Sequence, residues 1–382
     1  MKKILVIHNK YRLRGGEDIA VEKEVELLEE FYEVQVLNYH NKIENIFSQL
    51  FSFLSNENKT SINQLKEKLD SFNPDIAYVH NTWFKASLGI FKLLKSRDIR
   101  IILKLHNFRY DCTNNFSLRK HLKGESFCPA CGIENKNYRF FNKYFEDSYL
   151  KSFFVVIYGK KFFEILKNQN LSILVLTDFH KKYLQELGIK ESKISIFPNY
   201  INMPVSSNPK YADEYIIYAG RVSKEKGLEE LIATFLNAQI NNMHLKIVGD
   251  GPELKSLQKK YKHQSIKFLG QKNNEEVYEL ISKSKSVITA TKLYEGQPML
   301  LCEASLIGIP SIYPRSGGIK EFFPESSHFS FEQFNYHDLQ DKIEFLQNND
   351  SMIEEASKNK DHIVKYLDKD SLLKKFERII ND

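Results

Sequence analysis

Short, nearly uninterrupted runs of Ile, Val and Leu recur along this chain, separated by stretches whose apolar residues return with a helical period. Lys3 to Ile7, Val34 to Leu37, Asp75 to Val79, Arg100 to Leu105 and Leu171 to Leu176 are such runs. Parallel strands covered by helices on both faces read this way. After the first run Gly15 and Gly16 make a loop, and Ile19, Val21, Val25, Leu27 and Leu28 then recur with helical spacing over Asp18 to Phe31. The repeating unit is strand, loop, helix.

From Pro198 to Glu214 both periodicities fail, in a stretch that holds Pro198, Pro204 and Pro209 among serines and asparagines. A linker is expected there, over 201–213. Beyond it the pattern restarts, with strands expected at Tyr215 to Ala219, Leu245 to Val248, Ile266 to Leu269, Ser286 to Ala290 and Pro310 to Tyr313. The 382 residues exceed what one hydrophobic core usually supports. The expected fold class is therefore α/β, with two Rossmann-like, doubly wound domains, 1–200 and 214–360. They are expected to face each other across a cleft, with ligands at the carboxyl ends of the strands. An amphipathic segment, Asp361 to Ile380, follows the second sheet, and 361–382 is expected to return to the first domain as a helix.

With 42% hydrophobic and 27% charged residues, disorder is excluded as the main state. The four cysteines, Cys112, Cys128, Cys131 and Cys302, are too few for a secreted disulfide scaffold of this size, and a reducing, cytoplasmic setting is expected. The N-terminal apolar run meets His8 and Asn9 too early for a signal peptide. Runs such as Phe153 to Tyr158 are far short of the ~20 residues of a spanning helix. Lys+Arg minus Asp+Glu is 31 − 23 = +8 up to Tyr200 and 24 − 26 = −2 after it. That asymmetry fits contact with an anionic surface or ligand, and equally a solvated basic face.

The most specific stretch is Tyr294-Glu295-Gly296-Gln297-Pro298-Met299-Leu300-Leu301-Cys302-Glu303. A strand ends, a loop turns, and Pro298 is expected to open a helix whose first N–H groups, on Met299 and Leu300, suit a diphosphate. Glu295 in the loop and Glu303 on the helix can bracket a ligand rich in hydroxyls. Another strand end, Tyr218 to Gly227, offers Arg221 and Lys226 to phosphate oxygens. Val248-Gly249-Asp250-Gly251-Pro252-Glu253 is the next strand end and is expected to be structural.

Together with GIPSIYPRSGGIKEF near Ile309, these motifs resemble glycosyltransferase family 4, retaining enzymes of the GT-B fold that use nucleotide sugars. The resemblance extends into the first half through Gly15-Gly16-Glu17, Leu105-His106-Asn107 and Phe197-Pro198-Asn199, where Tyr200 replaces a common glycine. It implies that Arg221 and Lys226 hold the leaving diphosphate and that Glu303 accepts the ribose hydroxyls. Glu295 and the backbone of Gly296, Gln297, Pro298, Met299 and Leu300 would hold the transferred sugar. Gly15 and Gly16 would let the first loop approach the phosphates and acceptor, and His106 would sit at the reaction centre. The nucleotide sugar is a co-substrate, and neither a cofactor nor a catalytic metal is expected.

The expected activity is transfer from a UDP-sugar to a growing, lipid-linked surface glycan of the capsule, exopolysaccharide or O-antigen type. Alternatives are a nucleotide-sugar epimerase or non-transferring partner on the same fold and, further off, a basic nucleic-acid-binding protein with a zinc knuckle. Cys112, Cys128 and Cys131, with His106, have the count of a Cys3His zinc site. The resemblance places His106 elsewhere, and free thiols are preferred. Finally, 11 of the 26 residues from Tyr138 to Phe163 are Tyr or Phe, with five Lys or Arg against two acids. Much of this is expected to be core, and the rest a patch for peripheral contact with the inner face of the membrane.

Overall fold

The computed structural model describes residues 1–11, 15–41, 55–201, 209, 213–347 and 349–381. These form two compact units, Met1–Tyr200 with Leu372–Asp382, and Ile201–Ser371. Most of the expected linker, 202–208 and 210–212, lies outside the described residues.

The first unit is a six-stranded sheet in the order β2-β1-β3-β4-β5-β6, with every pairing parallel. Its strands are β1 (Lys3–Lys10), β2 (Glu33–His40), β3 (Ile76–Asn81), β4 (Arg100–Leu105), β5 (Ser172–Val175) and β6 (Ile194–Ile196). The second sheet runs β12-β11-β10-β7-β8-β9, again all parallel. It is built from β7 (Tyr215–Ala219), β8 (His244–Val248), β9 (Ile266–Gly270), β10 (Ser286–Ile288), β11 (Ser311–Arg315) and β12 (Ser330–Glu332). The sequence pattern misses β6 and β12, three-residue edge strands too short to show a period. Strand order reverses between β1 and β3 in one sheet and between β7 and β10 in the other. Such switch points open a crevice at the strands' carboxyl ends.

The segment expected as one returning helix, 361–382, is in fact divided. A helix Asn349–Tyr366 ends before Asp368, whose carboxylate accepts the Ser371 N–H at 2.9 Å and starts a second helix, Lys369–Asn381. Ile363 and Leu367 pack into the second unit's core, whereas Leu372, Phe376 and Ile380 join Ile4, Val6 and Tyr78 in the first. Tyr200 packs against that same core. Among the described residues, no helix is long and apolar enough to cross a membrane.

Candidate active site

In the second unit, the loops after β7 and β10 flank the switch point. The Lys226 ammonium is ion-paired with Glu295, and Glu295 also accepts the Thr291 hydroxyl at 3.2 Å. Arg221 is exposed, its carbonyl held by the Tyr218 hydroxyl at 2.8 Å. Glycine is required where these loops touch. At Gly227 (φ +67°) a Cβ would lie 2.1 Å from the Ala290 carbonyl oxygen, and at Gly249 (φ +133°) 1.9 Å from that of Gly220. The VGDGPE turn is thus a spacer that lets two strand ends meet. The Glu295 backbone is clamped from the loop after β11, because the Gly318 N–H donates to the Glu295 carbonyl at 2.9 Å.

The helix after this loop spans Met299–Ile307, with Pro298 as its N-cap rather than its first residue. The Met299 N–H, expected to face an anion, instead donates to the Gln297 carbonyl at 3.0 Å, closing the tight turn that Pro298 imposes. Leu300 keeps an N–H with no backbone acceptor among the described residues. Gly296 and Gln297 are buried, and the Gln297 side chain reaches Cys302. Glu303 projects from the helix and accepts the Tyr278 hydroxyl at 2.9 Å. Burial pushes its pKa up to about 7. No motif marks Tyr278 in the sequence, and only its contact with Glu303 brings it into the site.

In the first unit, three His-Asn pairs stand at the carboxyl ends of adjacent strands: His8-Asn9, His80-Asn81 and His106-Asn107. His80 Nδ1 lies 3.0 Å from His106 Nε2 with the rings stacked. Burial, then neighbouring positive groups, holds both well below the ordinary histidine range, so the pair is neutral. Beneath them Lys104 is fully buried and ion-paired to Glu24 at 2.7 Å. A cavity of about 40 Å³ opens beside His106, lined by Glu17, His80, Trp83, Asn107, Arg109 and Tyr158 among others. Glu17 accepts the Tyr11 hydroxyl at 2.8 Å, and burial pushes its pKa up to about 7. Arg109 lies 4.5 Å from the Trp83 ring. The sequence reading singles out His106 alone here, although the repeat of His-Asn at three strand ends is visible in the sequence.

Gly15 caps the helix Gly16–Leu28, and its N–H donates to Asp18 at 2.9 Å. Asp18 in turn holds His8 at 2.8 Å, with both side chains buried. A Cβ on Gly16 would meet nothing within 4 Å. The protein itself therefore does not require a glycine there.

The cysteines give a correction. His106 belongs to the histidine pair, and Cys112, Cys128 and Cys131 gather around His121 instead. Of the aromatic stretch, Tyr158 and Phe163 are buried, whereas Tyr138, Phe140, Tyr149 and Leu150 are exposed.

Residues 202–363 match the family model of glycosyl transferases group 1. The second unit is similar to the group 1 glycosyl transferases. Its motif helix and both acidic positions fall inside the matched range. The O-antigen biosynthesis glycosyltransferase WbnH of Escherichia coli is 30% identical over 179 residues, 45% of this chain and 48% of that protein. The chain thus spans about half the length of the curated relatives it matches. Among solved structures, HepE of Anabaena, in complex with UDP and glucose, superposes with a TM-score of 0.70 at 14% identity, covering 100% of both chains. Sucrose-phosphate synthase of Thermosynechococcus elongatus gives 0.73 at 14%, covering 100% of this chain and 98% of that one. At such identity these show the fold, which is GT-B: two parallel α/β units in succession, the second of which carries the group 1 match.

Proposed function

We propose that the protein is a retaining glycosyltransferase of family 4 that moves a sugar from a UDP-sugar to a hydroxyl of a growing, lipid-linked surface glycan. The observation that carries this is the second unit's switch point, where Lys226 is paired with Glu295 beside Arg221 and ahead of Glu303. Departure of a nucleoside diphosphate leaves negative charge on the β-phosphate, and preorganised cations lower that barrier. Lys226 exchanges Glu295 for the phosphate when donor arrives, and Arg221 and the Leu300 N–H complete the neutralisation without a catalytic metal. Glu303 accepts the ribose hydroxyls and Glu295, released, holds the sugar. The acceptor hydroxyl attacks on the face that the diphosphate leaves, and a departing phosphate oxygen takes its proton. In the first unit, the neutral His80–His106 pair and Glu17 offer hydrogen bonds to the acceptor. The O-antigen role in the name of WbnH and the UDP bound to HepE support the choice of glycan and nucleotide.

The test is a panel of nucleotide sugars with lipid-linked acceptors, following release of nucleoside diphosphate and of sugar product. Arg221→Ala and Lys226→Ala should each lower kcat by roughly 10²- to 10³-fold. Wild-type turnover in either would sink the diphosphate assignment, and turnover restored only by added magnesium after brief chelation would sink the metal-free mechanism.

The exposed rings also support peripheral membrane attachment. Tyr138 and Phe140 are 79% and 80% exposed, Lys143 and Lys151 follow them in the same stretch of sequence, and a lysine is worth about 1 kcal/mol at an anionic surface. Sedimentation with anionic vesicles should fall as salt rises. Absence from those pellets at low salt would remove the membrane and leave the enzyme.

A further inference from the structure

Between β4 and the long helix Tyr149–Asn168 the chain builds a small lobe with little regular structure. Its helices, Arg109–Cys112 and Leu118–Leu122, have four and five residues, and its only bridges among the described residues are Ser117 to Phe141 and Phe127 to Glu134. Its core consists of Cys112, Leu118, Leu122, Cys128 and Ile133, with Ala130, Cys131 and Tyr144 against them. A lobe with so few apolar residues needs a staple to hold one conformation.

The Phe127–Glu134 bridge closes a hairpin whose tip is Cys128-Pro129-Ala130-Cys131-Gly132. The tip is fixed by hydrogen bonds from the Cys128 N–H to the Ile133 carbonyl and from the Gly132 N–H to the Cys128 carbonyl, both at 2.8 Å. Gly132 takes φ +79°, the left-handed turn that brings the second cysteine back toward the first. Cys112 meets this tip from one short helix and His121 from the other. The ring Nε2 of His121 is 3.2 Å from Cys131 Sγ, and all four ligand atoms lie within 4.8 Å of one another. Bond lengths of about 2.3 Å to sulfur and 2.0 Å to nitrogen put tetrahedral ligands roughly 3.5–3.8 Å apart, so side-chain shifts of about 1 Å at most would close the site. No disulfide joins any of the three sulfurs.

We propose that Cys112, His121, Cys128 and Cys131 bind one zinc ion that staples this lobe. Three soft thiolates and an imidazole in a tetrahedron select zinc over hard cations. Four protein ligands, three of them buried, leave no open position, so the ion is structural. Its binding releases the thiol protons to solvent. The lobe's Tyr144 hydrogen-bonds Arg109, which lines the cavity beside His106. The zinc therefore holds one wall of that cavity without taking part in the reaction. The site stands apart from the glycosyl-transfer proposal, since either can fail alone.

The experiment is metal analysis of the full chain, purified without a polyhistidine tag or chelator. One zinc per chain is expected, and cobalt exchanged into the site should give the intense visible bands of tetrahedral thiolate coordination. A Cys128→Ser/Cys131→Ser variant should lose the metal, as should His121→Ala, whereas Cys302→Ala and His106→Gln should keep it. The last variant separates His121 from the histidine nearest in sequence to Cys112. Should a cysteine variant fail to fold, native-state thiol titration of the wild type decides the matter: three thiols shielded until a zinc chelator is added. Metal-free wild-type protein, iron in place of zinc, a Cys128–Cys131 disulfide, or full zinc retained by the double cysteine variant would overturn the proposal.

Discussion

Glu303 shows how a single residue's surroundings become a pH dependence. Burial raises its pKa in the folded chain to about 7, from an ordinary value of 4.5. The folded chain thus keeps a proton that the unfolded chain releases. The stability that this neutral form contributes is complete below the unfolded pKa and is lost as pH rises through about 7. Glu303→Gln is neutral throughout and should gain stability relative to the parent across that window, measured as urea midpoints on either side of pH 7. Nucleoside diphosphate binding should move the other way, because the ionised carboxylate is the better acceptor. Calorimetry should find parental affinity rising through pH 7 and the variant flat, weaker by ~1.5–3 kcal/mol once Glu303 is ionised. A second buried group, Lys104, is fully covered and its charge is answered by Glu24. Lys104→Met alone strands a buried carboxylate and should cost about 3–5 kcal/mol. Adding Glu24→Gln should recover part of that loss, and additive losses in the double variant would refute the pairing.

At the scale of elements, the glycines divide by what they touch. Gly249 combines φ +133° with a backbone oxygen 1.9 Å from where its Cβ would stand. Gly249→Ala should destabilise by at least the ~1–3 kcal/mol of an overpacked site. Gly16 opens its helix with nothing near, so Gly16→Ala should leave the thermal midpoint unchanged or slightly raised. If turnover still falls in that variant, the demand for glycine comes from a ligand. Equal midpoints for the two variants would contradict this division. Both glycine turns are legible in the sequence because strand ends and turn chemistry are local. The Met299 N–H departs from expectation because the tight turn at Pro298 redirects it, and only the folded backbone shows where it points.

Across the whole molecule, the C-terminal helix Lys369–Asn381 belongs to the core of the first unit. Phe376 is fully buried there, with ring contacts to Tyr32, Tyr78 and Phe197. The chain's one tryptophan, Trp83, lies in that unit. Phe376→Ala should therefore cost ~3–5 kcal/mol and lower the urea midpoint read by Trp83 fluorescence. An unchanged midpoint would detach the helix from that core. The sequence by itself determined the two parallel α/β units, the glycine loops at their strand ends and the Glu295-to-Glu303 motif, because apolar periodicity and turn chemistry act between near neighbours. Only the tertiary structure decided which groups meet: Lys226 with Glu295 across 69 positions, Lys104 with Glu24 across 80, and His121 rather than His106 with the cysteines. Separation along a chain does not measure distance once strands and lobes intervene. Burial, which sets the charge of Glu17, His106 and Glu303, exists only after the chain has folded.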